Sequence, residues 1–147
     1  WLLLALCISV YSSSAVRAAI NVFLFFAGMV AAYYFYSYYA AGFFPKSYAM
    51  IWGGATIASP LLAFLCWYAK GRSKIAFALS ALILAALFNT SSYYGMLYID
   101  PISVLEAAVF VVGFIVLRRT TLKGSALLLA CSLVLAVFLK IIIPFQF

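Results

Sequence analysis

The sequence contains no histidine and only two acidic residues, Asp100 and Glu106, in 147 positions. The missing imidazole removes the commonest general base, the commonest metal ligand and every histidine-dependent nucleophile triad. The three cysteines, Cys7, Cys66 and Cys131, lie far apart inside or near apolar runs. They read as small core hydrophobes, because a zinc site needs clustered Cys, His or carboxylate ligands. No catalytic residue, metal or cofactor is therefore assigned. An enzyme is the least supported class, with two carboxylates to work with.

Charge of either sign is scarce. Charged residues make up 7% of the chain and apolar residues 70%, against about 25% and 45–50% in ordinary soluble domains. That balance excludes a soluble globular domain and indicates a membrane protein. The net charge of +7 comes from nine Lys and Arg, which in a soluble chain would suggest a nucleic-acid partner. Here the cations sit in short loops between apolar runs, where they report orientation and contact with anionic headgroups. The lipid bilayer is the expected partner, with no nucleic acid.

The expected fold is all-α: a polytopic helical bundle forming a single transmembrane domain over 1–147. Five complete spans are expected, at approximately 18–39, 47–69, 75–98, 101–117 and 125–143, and a partial first one at 1–11. The first run is half the roughly 20 residues that a span needs, so it reads as part of a helix beginning upstream. A signal peptide is the weaker alternative, because no basic region precedes the apolar core.

In the run 18–39, Asn21, Gly28 and Ala32 recur on one helix face, where small residues allow close helix contact. Its end, Tyr33 to Tyr39, is a dense aromatic girdle. It reads as an interface anchor, with a ligand-stacking mouth as the sharper alternative. The next run carries Ser59-Pro60 near its middle, which predicts a kink. Such kinks either mark a cavity or are structural, and the structural reading is preferred.

The fourth run, 75–98, turns polar at Asn89-Thr90-Ser91-Ser92 before Tyr93-Tyr94, so some of these side chains must meet protein or water. Asp100-Pro101 predicts a helix start, with Asp100 as cap. Ser103, Glu106, Phe110 and Gly113 then form one stripe, and Ser125, Ser132, Ala136 and Lys140 form another. An acid inside a membrane helix is costly unless paired or hydrated. Glu106 and Lys140 fall at comparable depth and are candidates for an ion pair. Alternatively, Lys140 snorkels to the headgroups and Glu106 is hydrated.

Arg17 and the loops 70–74 and 118–123 carry most of the cations. By the positive-inside rule these loops are cytoplasmic and the C-terminus lies outside, in a cell membrane.

The segments Ala18 to Phe26, Gly42 to Tyr48, Ser59 to Ala63 and Trp67 to Gly71 together resemble small bacterial multi-pass membrane proteins with no assigned role. The resemblance covers roughly residues 17 to 75 and implies no function. Size and span count also look like the substrate-capturing subunits of vitamin transporters, but their helix motifs are missing and an outward C-terminus argues against that match.

Two functions remain. One is a small-solute transport or channel component, with an outward vestibule lined by Asn89, Ser91, Ser92, Ser103, Glu106 and Lys140 and with Tyr36 and Tyr94 near its mouth. The other is a structural or assembly subunit, packing its polar stripes against other membrane subunits or a second copy of itself.

Overall fold

A computed structural model describes residues 1–40, 42, 46–94, 99–101 and 103–142. It is helical apart from one short ribbon. The elements are α1 (Leu2–Tyr11), α2 (Ala15–Tyr39), α3 (Lys46–Ala69), α4 (Lys74–Ser91), β1 (Ser92–Tyr94), β2 (Ile99–Pro101), α5 (Val104–Leu117) and α6 (Leu122–Ile142).

Among the described residues, α2, α3, α4 and α6 are long and apolar enough to cross a membrane. With 14 residues, α5 is about 21 Å long at 1.5 Å per residue, and α1 has 10 residues. Five complete spans are therefore not shown; the structure supports four.

The span missing from the four is the one expected at 101–117, where α5 begins only at Val104. The span expected at 75–98 is present but shorter: α4 ends at Ser91 and Ser92 turns extended, its N–H still donating to Phe88 O. The hydroxyls of Thr90 and Ser91 donate to the carbonyls of Leu87 and Phe88, a local alternative to helix continuation that Ser and Thr favour. Tyr93 and Tyr94, which suit strands, enter β1 and pair antiparallel with Asp100 and Ile99.

The chain forms two compact units, Leu4–Trp67 and a second comprising Trp1–Leu3 with the residues from Tyr68 onward. In the first unit, the serine turn between α1 and α2 bonds to itself and to both neighbours. Ser14 caps α2 by accepting from the Arg17 N–H at 3.2 Å, and Arg17 Nη1 donates to Ser13 Oγ at 2.9 Å. From the far end of α3, the Trp67 indole donates to Ser12 O at 3.0 Å. The face of Asn21, Gly28 and Ala32 is exposed rather than packed. The buried residues of α2 are Ala15, Ala18, Val22, Tyr34 and Ser37, so the small-residue spacing does not mark a helix contact within this unit.

Helix α3 continues through Pro60. Proline has no N–H to give the carbonyl four residues earlier, which here is Thr56 O. The preceding residue replaces that donor: Ser59 Oγ donates to Thr56 O at 2.8 Å, and Ser59 is buried. Thr56 Oγ1 donates in turn to Trp52 O.

In the second unit α4 packs against both α5 and α6. Ala85, Phe88 and Ala136 form a buried cluster, with Phe110, Leu133, Leu135 and Leu139 against it. The rings of Phe88 and Phe110 meet edge to face at 5.3 Å. A Cβ on Gly113 would lie 2.6 Å from Leu87 Cδ1, so the missing side chain is what lets α5 approach α4. The stripe read from the sequence on α5 is thus the packing face at Phe110 and Gly113, and on α6 Ser132 and Ala136 are fully buried.

The end of this unit where α3 finishes and α6 begins is held by Arg119. Its Nη1 donates to Gly71 O, and its Nη2 donates to Ser80 Oγ at 3.1 Å and to Ala69 O at 3.5 Å. The guanidinium lies 5.7 Å from the centre of the Phe77 ring. The Arg119 backbone is fixed separately, because Ser125 Oγ accepts its N–H and donates to its carbonyl, each at 3.1 Å. Thr121 Oγ1 accepts from the Gly124 N–H, and a Cβ on Gly124 would stand 2.7 Å from that oxygen. The basic loops at 70–73 and 118–121 are therefore side by side, and their separation along the chain does not show this.

Replacing Arg119 with Gln removes a charged donor from carbonyls at a helix end. Unfolding in detergent should show a loss of about 1.5–3 kcal/mol. Gly113→Ala should be near neutral, since the gain of about 1 kcal/mol in helix propensity offsets a small movement of Leu87. Gly113→Leu should lose about 1–3 kcal/mol by overpacking, and equal melting temperatures for the two variants would refute the close-approach role.

Candidate functional site

Five of the eight residues expected to form a site have described side chains where α4 hands over to the ribbon and α5 begins. Asn89 is half-buried near the end of α4, and its Nδ2 donates across to Ala136 O on α6 at 3.2 Å. Ser91 is buried, and its Oγ donates to Phe88 O and lies 3.5 Å from Ser92 Oγ. Ser92 opens β1. These groups meet partners inside the bundle, which is what buried polar side chains require.

Ser103 and Glu106 define the start of α5. Ser103 is the N-cap, with extended backbone at φ −155° and ψ 161°, and its Oγ accepts from the Glu106 N–H at 3.2 Å. The cap expected at Asp100 is therefore at Ser103, three residues later, because Asp100 and Pro101 are held in the ribbon. Ser103-Val104-Leu105-Glu106, a serine three residues before a glutamate, is a capping-box pattern. The sequence thus carries two start signals, and the pairing of Asp100 with Tyr93 leaves the later one to open the helix.

In a complete capping box the glutamate side chain reaches back to the cap residue. Glu106 Oε2 is instead enclosed with no hydrogen-bond partner. The ion pair expected with Lys140 is thus not made through this oxygen. Lys140 is exposed in the last turn of α6, a place where a cation also interacts favourably with the helix C-terminus.

Tyr94 pairs through its backbone with Ile99 in the ribbon, and its side chain lies outside the described residues. Tyr36 belongs to the first unit, where it is 68% exposed on α2. The structure therefore groups Asn89, Ser91, Ser92, Ser103 and Glu106 in one region of the second unit. Lys140 is on the neighbouring α6, and Tyr36 stands apart as a surface residue of α2.

Within this region the chemistry available is hydrogen bonding and one carboxylate. No cluster of three or more His, Cys, Asp or Glu that could hold a metal ion occurs among the described residues. The residues that sequence reasoning missed are Ser80, Trp67 and the specific role of Arg119. A fully buried serine in an aliphatic run and a tryptophan near a helix end carry no distinguishing local pattern. No known protein family, curated protein or solved structure matches this chain.

Ser103→Ala should lower stability by about 1 kcal/mol through loss of the cap, while Ser103→Gly should lose only a few tenths. Thermal unfolding of the two variants in detergent checks this, and an equal loss in both would show that the hydroxyl does not act as a cap.

Proposed function

We propose that the protein is a multi-pass protein of a bacterial cell membrane that acts as a small-solute transport or channel component. Its solute-facing part is the polar region at the start of α5, with Glu106 as the central group and Asn89, Ser91, Ser92 and Ser103 around it. The observation that carries this reading is the enclosed Oε2 of Glu106, which has no hydrogen-bond partner. A buried carboxylate oxygen without a partner is costly, and more so in a membrane. A site for a cationic or hydrogen-bond-donating solute accounts for keeping one.

The wide exposure of large apolar side chains, including Ile57, Leu61 and Ile75, supports a lipid environment. Cations concentrated at the 70–74 and 118–123 loops support placing those loops in the cytoplasm and the C-terminus outside. The ribbon of β1 and β2 carries Ser, Tyr and Asp residues, as suits a segment at the headgroup level, where unpaired ribbon edges meet water.

A second reading has its own support. Asn89 and Ser91 already bond within the bundle, as they would in a structural or assembly subunit whose Glu106 meets a cation on another membrane subunit or on a second copy.

Flux of protons and small cations into vesicles containing the purified protein separates the two. For transport, flux exceeds that of empty vesicles and falls about tenfold or more in Glu106→Gln, the change produced by losing ~1.4 kcal/mol of interaction. The melting temperature should be unchanged or raised, because an amide replaces an unpaired carboxylate. Flux equal to empty vesicles, with a stable larger complex that Glu106→Gln dissociates, would reject transport in favour of assembly.

A further inference from the structure

We infer that the second unit carries an assembled binding site for the phosphate headgroups of anionic phospholipids, built from the two basic loops that Arg119 joins. This rests on the membrane-spanning part of the proposed function and not on the role of Glu106.

Arg119 reaches from the loop after α5 to the carbonyls of Gly71 and Ala69. Gly71 stands between Lys70 and Arg72, and Arg119 follows Arg118. Each hydrogen bond therefore places the backbone of one basic loop within about an arginine side chain's reach of the other. Arg72, Lys74, Arg118 and Lys123 are all exposed at this end. The Arg119 guanidinium is turned inward onto carbonyls and the Phe77 ring, so it shapes the surface while the other four supply its charge.

Among the described residues no acidic side chain pairs with these cations. Glu106 lies eleven residues before Leu117 on α5, roughly 17 Å at 1.5 Å per residue. That is beyond the screening length of about 8 Å at physiological ionic strength. Asp100 is in β2, before that helix begins. Holding like charges together raises their mutual repulsion, and a bound anion relieves it. For a protein in a bilayer, the anions in reach of loops at helix ends are lipid phosphates. Each Lys or Arg near such a surface adds to the attraction.

The test uses the full chain reconstituted into phosphatidylcholine vesicles, and into phosphatidylcholine mixed with phosphatidylglycerol, with unfolding followed by temperature. Phosphatidylglycerol should raise the melting temperature by about 4 °C or more, and high salt should shrink the rise. In the doubly substituted Arg72→Gln, Arg118→Gln protein the rise should fall by half or more. In Arg17→Gln, whose cation belongs to the first unit, it should be retained. Three results overturn the site: no rise in the unaltered protein, an undiminished rise in the double variant, or an equal loss in Arg17→Gln. The same rise from inorganic phosphate in phosphatidylcholine vesicles would overturn the lipid as its source. Failure to float with vesicles of either composition would overturn the membrane reading and this inference together. Floating with both but melting alike overturns this inference alone.

Discussion

The carbonyl oxygens left open where helices turn or end set the main constraint on this chain. A sequence that is 70% apolar and 7% charged has few side chains with which to satisfy them, and unpaired backbone groups are expensive away from water. Hydroxyls are used at such places: Ser59 replaces the donor that Pro60 lacks, and Ser80 donates to the end of α3. At helix starts, where the open groups are N–H donors, Ser14, Ser73 and Ser103 accept from them. Where one hydroxyl is not enough, a guanidinium is drawn inward. Arg119 is the clearest case, being half-buried in a chain whose other described cations are exposed.

The same economy makes Glu106 distinctive. Asn89, Thr90, Ser91 and Ser132 find carbonyls on their own or a neighbouring helix. A carboxylate needs donors, and this end of the bundle offers mainly hydroxyls already committed to carbonyls. The α5 start therefore satisfies its backbone through Ser103 and leaves the acid's second oxygen alone. Lys140, in the last turn of α6, does not supply a donor to that oxygen.

Helical character, the apolar runs and the packing faces were legible from composition and spacing. Phe110 and Gly113 face α4, and Ser132 and Ala136 are buried, as their periodicity suggests. Element ends were not so legible. At Asn89 to Ser92 the hydrophobic run gives no stop signal, and the helix yields because short hydroxyl side chains offer the backbone another partner and the tyrosines prefer extension. At Asp100 the local start signal lost to strand pairing three residues upstream of the true cap. The face of Asn21, Gly28 and Ala32 shows the converse error, since small residues permit a contact without requiring one. The inward turn of Arg119 depends on residues about 50 positions away, beyond what any local pattern encodes.

That separation also sets apart the two donors that share one carbonyl. Ala69 O is met by Ser80, eleven residues later, and by Arg119, fifty residues later. The two donors differ in reach: the hydroxyl is local in sequence, whereas the guanidinium closes a much longer loop. That longer closure adds little further entropic penalty, since the penalty grows only with the logarithm of length. One carbonyl therefore serves both a neutral contact within its own turn and a charged contact to a distant segment, so a change at Ala69 or Gly71 reaches both loops at once.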